Sequence, residues 1–454
     1  MVFNIAIVGS GPAGFYAAEA LLRSDRPVRI DMFDRLPVPF GLVRHGVAPD
    51  HQKLKAVTAI FEQIADNANF SFVGNLDIGR EVPVSQLQAA YHGVILATGA
   101  IADRPLDIVG EDLPGSVSAT ELVGWYNGHP DFRDKIFDFS HPAAIVIGNG
   151  NVALDVCRIL AKSVDELKRS DICEHALDAL AESRITDVFV IGRRGPAQAK
   201  FTAKELREFG ELQDAQPVVD PADLQLDAAS NDEIECSASA AKNLEILRVF
   251  ASRQGSALKR KRIHFRFSLA PASIEGTGAV ERVKFEKLNL SGPAGSQKGT
   301  PTGEYVRIPA GLIVRSVGYR GLSIPGVPFD ERSATIVQRE GRVVASDGKT
   351  VRGLYVAGWI KRGPSGIIGT NRACAIETVE SILADLKKTS FGALDFQRDR
   401  FRSALHGQSR KLIDFPGWRR IDALERAAGA AKAKPREKLT RVPAMLKASE
   451  QTLV

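Results

Sequence analysis

Apolar residues along this chain gather in short unbroken runs that stop on glycine. Residues 4–8, NIAIV, run into Gly9-Ser10-Gly11-Pro12-Ala13-Gly14, and a helical period of apolar positions follows from about Ala13. The outline returns at Ala143, where AAIVI runs into Gly148-Asn149-Gly150-Asn151-Val152-Ala153 and a helix is predicted from about Val152 to Lys168. Val28–Phe33 and Asp187–Ile191 read as the second strand of each unit. GVILATGA (93–100), LIVRSVGYRG (312–321) and GLYVAGWI (353–360) repeat the strand-then-glycine form, and Cys173–Ala181 has a helical period. Strands alternating with helices specify an α/β fold. The order predicts one domain split by the insertion of another, an outer unit of about 1–105 plus 325–454 and an inner unit of about 106–324. The tail past Ala427, rich in Ala, Lys and Pro, is expected to be a loosely packed extension.

With 454 residues, 44% apolar and including 40 glycines, the chain can bury substantial cores, and its length matches two or three domains. No apolar run approaches the ~18 residues of a membrane span. Strand-like residues begin by Asn4, which leaves no room for a signal or transit peptide, so a cytoplasmic location is expected. Cys157, Cys173, Cys236 and Cys374 lie far apart with no C-x-x-C and no iron–sulfur or zinc spacing; buried free thiols and no metal site are expected. A net charge of +6 gives no compositional support for nucleic-acid binding. Charge is uneven, however. Asp214 to Ala240 holds seven acids and no base, and reads as a mobile loop; Lys242 to Arg266 holds eight bases against Glu245 alone, either a docking face or a solvated surface paired with that loop.

The first glycine unit carries a dinucleotide fingerprint. Gly9, Gly11 and Gly14 serve a tight turn, backbone approach to a pyrophosphate and close helix–strand packing, and the helix N-terminus faces the phosphates. The second strand ends in Asp34, twenty residues beyond Gly14, where a carboxylate can accept both hydroxyls of a ribose diol. The second unit has alanine at its third position, a change associated with the 2′-phosphorylated cofactor. Forty residues separate Ala153 from Arg193, which an extra helix explains, and Arg193 and Arg194 then occupy the ribose position. Guanidinium forks hold a 2′-phosphate that a carboxylate would repel. At roughly 1.5–3 kcal/mol per charge-assisted bond, two arginines discriminate NADP from NAD by about 10²–10³-fold or more. The first site selects the diol ribose of FAD or NAD and the second NADP; carrying both on one chain suggests electron transfer between them, with FAD in the first site.

The stretches VGSGPAGFYAAEALL, PVPFGLVRHGVAPDHQKLK, GNGNVALDVCRIL, GRRGPAQAKFTAKELRE, GLYVAGWIKRGPSGIIGT and PREKL closely resemble adrenodoxin reductase-like ferredoxin–NADP⁺ reductases. The resemblance implies two Rossmann-like domains of the glutathione reductase-like superfamily, the FAD domain split by the NADP domain. It also implies hydride transfer from NADPH to FAD, then single-electron transfer to a ferredoxin-type iron–sulfur protein, or the reverse. By motif position, FAD contacts would be Ala13, Asp34, Leu42, Ile78, Trp359, Gly366, Ile367 and Ile368. NADP contacts would be Asn149, Gly150, Asn151, Val152, Arg193, Arg194, Glu205 and Gly366.

Gly366 lacks a side chain where a nicotinamide would approach the flavin, and the N–H groups of Ile367 and Ile368 could stabilise the flavin's electron-rich edge. His51 matches a family histidine near the flavin, for proton movement or packing, and Glu205 would orient the ribose or carboxamide; His51, Glu205 and Gly366 form the catalytic set. Lys200, Lys204, Arg207 and Arg248 are candidates for docking an acidic ferredoxin. Two departures stand out: Asp34 is shorter than the glutamate common in the family, and Asn149 replaces a glutamine. A thioredoxin reductase type lacks its cysteine pair here, and a glutamate synthase small-subunit type lacks its cluster cysteines. A non-catalytic NADPH-sensing or nucleic-acid-binding protein on a flavin fold has only the basic segment in its favour.

Overall fold

The computed structural model describes residues 2–253, 259–388, 394–407 and 410–451, and sets the two glycine units on two separate sheets. In the first sheet, Phe3–Val8 lies parallel between Val28–Phe33 and Gly93–Leu96, and Phe70–Val73 extends one side. Thr350–Val356, from the far end of the chain, adds in parallel to Gly93–Leu96, and the short strands Arg342–Val344 and Gln338–Arg339 finish that edge antiparallel. Alternation along the central strand sends Ile5 and Ile7 into one core cluster and Ala6 and Val8 into another, so both faces are covered.

The second sheet has six parallel strands in the order Ser116–Ser118, Leu312–Arg315, Ala143–Ile147, Asp187–Ile191, Lys261–Arg266, Ala215–Val219. Ala144, Val146, Val188 and Val190 face the helices. Ile145, Ile147 and Ile191 face an antiparallel sheet of Leu269–Glu275, Arg282–Ser291 and Lys298–Pro309 through Leu269, Val283 and Phe285. The chain passes between the two sheets at Ala102–Asp103 and returns at Tyr319–Arg320, and these segments pair antiparallel. Among the described residues no helix is long and apolar enough to cross a membrane.

Four expectations need correction. The helix from the second glycine unit ends at Ala161, because Ser163 and Glu166 form a capping box that starts a new short helix, Val164–Leu167. The acidic stretch is ordered: it supplies the edge strand Ala215–Val219, the helix Ala228–Cys236 and the start of the helix Ala238–Ser252, with Asp227 and Ser237 as N-caps and Val219, Leu224 and Ala240 buried. In the basic stretch Lys242, Arg248, Arg253, Arg260 and Arg262 are exposed, while Lys261 is buried with its Nζ 2.9 Å from Leu160 O and Arg266 pairs with Asp223 at 3.0 Å. Its residues 254–258 lie outside the described residues. The tail is packed, with Met445 and Ala448 in the core of the first sheet and Lys438 buried beside Asp171. Of the cysteines, Cys157, Cys173 and Cys374 are buried and free as expected, but Cys236 is exposed.

Candidate functional site

Neither helix that leaves a glycine loop has a side-chain cap. Gly11 and Gly150 are the N-cap residues of the 11-residue helices Pro12–Leu22 and Asn151–Ala161. By contrast, Ser118, Ser163, Thr202, Asp227, Ser237 and Asp414 cap the helices that follow them. Uncapped N–H groups at the positive end of a helix dipole attract anions. The space ahead of them is open, since a Cβ built on Gly11 or Gly150 meets nothing within 4 Å. The flanking glycines are demanded by the protein itself. Gly9 has φ +108 and a Cβ there would lie 2.4 Å from Ala97 O; one on Gly14 would lie 2.1 Å from Gly9 O. Gly148 repeats this at φ +144, with Ser316 O 2.2 Å away. Only the middle glycine of each loop is left to serve a ligand, and the chemistry suits a pyrophosphate.

At the first loop, Asp34 Oδ2 accepts from Ser10 N at 3.0 Å and Ser10 Oγ at 2.5 Å, and Oδ1 accepts from Leu36 N at 2.9 Å. The carboxylate thus anchors the loop. With about four acceptor sites on a carboxylate, capacity remains for a hydroxyl. Gly41 backs onto Gly11, its Cβ position 3.1 Å from Gly11 Cα, which puts Leu42 beside the loop. Gly358, φ +79, packs on Ala13, so Trp359 begins its helix there and donates from Nε1 to Ser365 O at 3.1 Å. Ser365 leads to Gly366, φ +80, then to Ile367, which is 64% exposed, and to Ile368, which packs on the Ala13 cluster. The Ile78 side chain is buried with Val8, Phe33 and Ile360.

At the second loop, Asn149 Nδ2 would lie 2.9 Å from a Cβ on Gly192, the residue before the arginines. Lys200 N donates to Asn149 O at 3.0 Å, and Thr202 N to Asn151 Oδ1 at 2.8 Å. The glycine loop and the arginine loop are therefore stitched together, with Val152 packed against the core beneath. Arg193 is exposed and Arg194 half-buried, and among the described residues neither forms a salt bridge.

Between the two units lies a charged cluster that brings His51 to Glu205. His51 Nε2 is 3.3 Å from Glu205 Oε2 and 3.1 Å from Glu208 Oε2, and its Nδ1 is 3.7 Å from Asp155. The fully buried Arg158 binds Asp50 (2.7 Å) and Asp155 (2.7 Å), and Lys162 reaches Asp50 at 2.7 Å. Burial disfavours an imidazolium, but the Glu208 hydrogen bond, helped by Asp155 and Asp50, outweighs it and holds His51 above its usual 6.5. Burial, with Asp155 and Glu208 pushing the same way, holds Glu205 above 4.5. Glu205 Oε2 and Arg158 Nη1 are buried without hydrogen-bond partners, 3.7 Å apart. Such orphans are costly, and a polar ligand group would satisfy them.

Sequence reading missed Glu208, Asp155, Arg158 and Asp50. A signal existed: Glu205 with Glu208, and Asp155 with Arg158, are i, i+3 pairs on single helix faces. Arg104 was also passed over. It lines a cavity of about 610 Å³ with Arg315 and lies against Gly318, two residues from the Ser316 that packs on Gly148.

The pyridine nucleotide-disulphide oxidoreductase family matches residues 3–190. NADPH-ferredoxin reductase FprA of Mycobacterium tuberculosis is 43% identical over 98% of both chains. The mitochondrial NADPH:adrenodoxin oxidoreductase of Arabidopsis thaliana is 40% identical over 96% of this chain and 93% of its own. The solved structure of Mycobacterium tuberculosis FprA in complex with NADPH superposes with a TM-score of 0.93 at 42% identity, covering 99% of this chain and all of that one.

Proposed function

The chain belongs to the pyridine nucleotide-disulphide oxidoreductase family, among its ferredoxin- and adrenodoxin-type NADPH reductases, and from that premise we propose how its own residues perform the reaction. It is an FAD-dependent oxidoreductase that links NADPH to a ferredoxin-type iron–sulfur protein. FAD, when bound, supplies the conversion of one two-electron hydride into two single electrons.

One observation carries the assignment of the two sites: two uncapped helix N-termini, one followed by a strand ending in Asp34 and the other by a strand leading to Arg193 and Arg194. Gly11 and the helix start at Ala13 hold the FAD pyrophosphate, Gly9 and Gly14 shape the turn that presents them, and Asp34 accepts from its ribose, with Leu42, Ile78 and Trp359 completing the cradle. Gly150, Asn151 and Val152 present the second helix N-terminus to NADP, Asn149 props the arginine turn, and Arg193 and Arg194 grip the 2′-phosphate. Gly366, at φ +80 with Thr370 Oγ1 2.3 Å from where a Cβ would stand, is required by the turn itself, and the nicotinamide rests against its backbone. Among the described residues the N–H groups of Ile367 and Ile368 have no acceptor, which suits them to the electron-rich edge of a reduced ring. His51 and Glu205 stand between the two nucleotide sites, His51 hydrogen-bonded to Glu208, which favours its charged form, and Glu205 with an oxygen free to meet a polar ligand group. The sheet memberships support a domain of 1–105 with 325–454 for FAD and one of 106–324 for NADP.

Lys200, Lys204, Arg207 and Arg248 are exposed and, among the described residues, none forms a salt bridge, so they form a basic docking face for an acidic ferredoxin. The test is NADPH-dependent cytochrome c reduction with and without added ferredoxin at low salt. A large ferredoxin-dependent rate that falls on charge reversal of Arg207 and Arg248 is expected. A rate indifferent to ferredoxin contradicts the assigned reaction, and one indifferent to the reversals contradicts the docking face.

A further inference from the structure

Four residues beyond Arg194 the chain buries a glutamine that belongs to neither dinucleotide fingerprint. Gln198 is 1% exposed and closes the short turn Pro196–Gln198. Its Nε2 donates to Glu233 Oε2 at 2.8 Å and Gln297 Oε1 at 3.0 Å, with Ser230 Oγ 3.3 Å away. Ser230 Oγ in turn donates to Gln297 Oε1 at 2.9 Å, and Gln297 Nε2 to Asp227 Oδ2 at 2.9 Å. The following helix fastens the far end of the same loop, where Asn243 Nδ2 donates to Phe201 O at 2.9 Å. Gly195, directly after Arg194, packs on the amide; a Cβ there would sit 3.0 Å from Gln198 Oε1 and 3.2 Å from Leu290 Cδ1.

We propose that Gln198 is a positioning residue for cofactor selectivity: by tying the arginine loop to Ser230, Glu233 and Gln297, it makes the acidic helix Ala228–Cys236 part of the device that recognises a 2′-phosphate. The proposal rests on Arg193 and Arg194 being the groups that grip that phosphate. Two planar forks meet one phosphate bidentately only when the backbone bearing them is fixed, and ordering a loose loop at the moment of binding weakens the complex. The rest of the dinucleotide is held from a different element, the helix beginning at Gly150. Loosening the loop therefore weakens binding of the phosphorylated cofactor and spares the unphosphorylated one.

The experiment compares wild type, Gln198→Ala, Glu233→Ala and the double variant Arg193→Ala/Arg194→Ala, all loaded with FAD. The probes are 2′,5′-ADP and 5′-ADP as inhibitors, with KM and kcat for NADPH and NADH. Gln198→Ala is expected to weaken 2′,5′-ADP and raise the NADPH KM about tenfold, with kcat, 5′-ADP and the NADH KM changed by less than about twofold. Glu233→Ala, on the opposing helix, shifts the same constants in the same direction. If the arginine variant loses 2′,5′-ADP affinity while Gln198→Ala and Glu233→Ala keep it, the positioning role is wrong and the arginine assignment stands. If the arginine variant itself keeps that affinity, the arginine assignment fails. Equal weakening of both nucleotides in Gln198→Ala, with a lower unfolding temperature, reduces Gln198 to a structural residue and overturns the proposal.

Discussion

Asp171→Asn removes the charge at the point where three parts of the chain meet. Lys55 Nζ lies 2.6 and 2.8 Å from the Asp171 oxygens, Lys438 Nζ 3.2 Å from Oδ2, and both ammonium groups also reach Asn127 Oδ1, at 3.3 and 3.1 Å. Lys55 comes from the first sheet's half, Asn127 and Asp171 from the second, Lys438 from the tail, and both Asp171 and Lys438 are almost wholly buried. Burial alone would raise the Asp171 pKa, but Lys438 and Lys55 outweigh it and hold it at about 2. A drop from 3.8 to about 2 corresponds to about 2.5 kcal/mol of stability. Because the folded value is the lower one, this stability is fully present above 3.8 and lost as pH falls toward 2.

The amide also strands the buried Lys438 ammonium and removes the carboxylate that favours the charged form of Lys55, already lowered to about 7 by burial, which puts the total near 3–5 kcal/mol. For a chain of this size that is a fall in unfolding temperature of roughly 3–5 °C, read by circular dichroism and by release of flavin fluorescence. Lys438→Met in the same background restores part of it, because one stranded charge is gone. An unfolding temperature within about 2 °C of wild type, or effects of the two substitutions that simply add, would refute the claim that this buried cluster braces the molecule.

Gly150→Ala puts a methyl in the open cradle without touching protein, so folding and FAD content are unchanged while NADPH affinity falls by about tenfold or more, measured by flavin-monitored titration. Glu208→Gln removes the hydrogen bond that raises His51, so the His51 imidazole titrates at lower pH by NMR and the basic limb of the pH–rate profile moves the same way; an unmoved resonance contradicts the coupling. Arg193→Ala/Arg194→Ala lowers kcat/KM for NADPH by about 10²-fold or more and leaves NADH use nearly unchanged.

The parts legible in the sequence are those encoded by neighbours in the chain. The glycine at the middle of each loop, the strand ends at Asp34 and Arg193, and the helices that follow all depend on contacts within one strand–turn–helix unit. The acidic stretch was mistaken for a loop because its few buried apolar residues, Ala215, Val219, Leu224 and Ala240, are scattered over a strand, a turn and a helix start and form no local period. The tail was mistaken for an extension because its buried lysine finds its partner Asp171 267 residues away, a pairing no local window contains. The His51 cluster was half-read for the same reason: His51 and Glu208 are 157 residues apart and meet only when both sheets are in place.

Anaerobic titration of the FAD-loaded protein with NADPH and, separately, NADH tests the central claim most directly. Stoichiometric bleaching of the flavin by NADPH, with NADH needing concentrations about 10²-fold higher or more, is the predicted result. Equal bleaching by the two would contradict the account of Arg193 and Arg194, and no bleaching by either would contradict the assigned reaction.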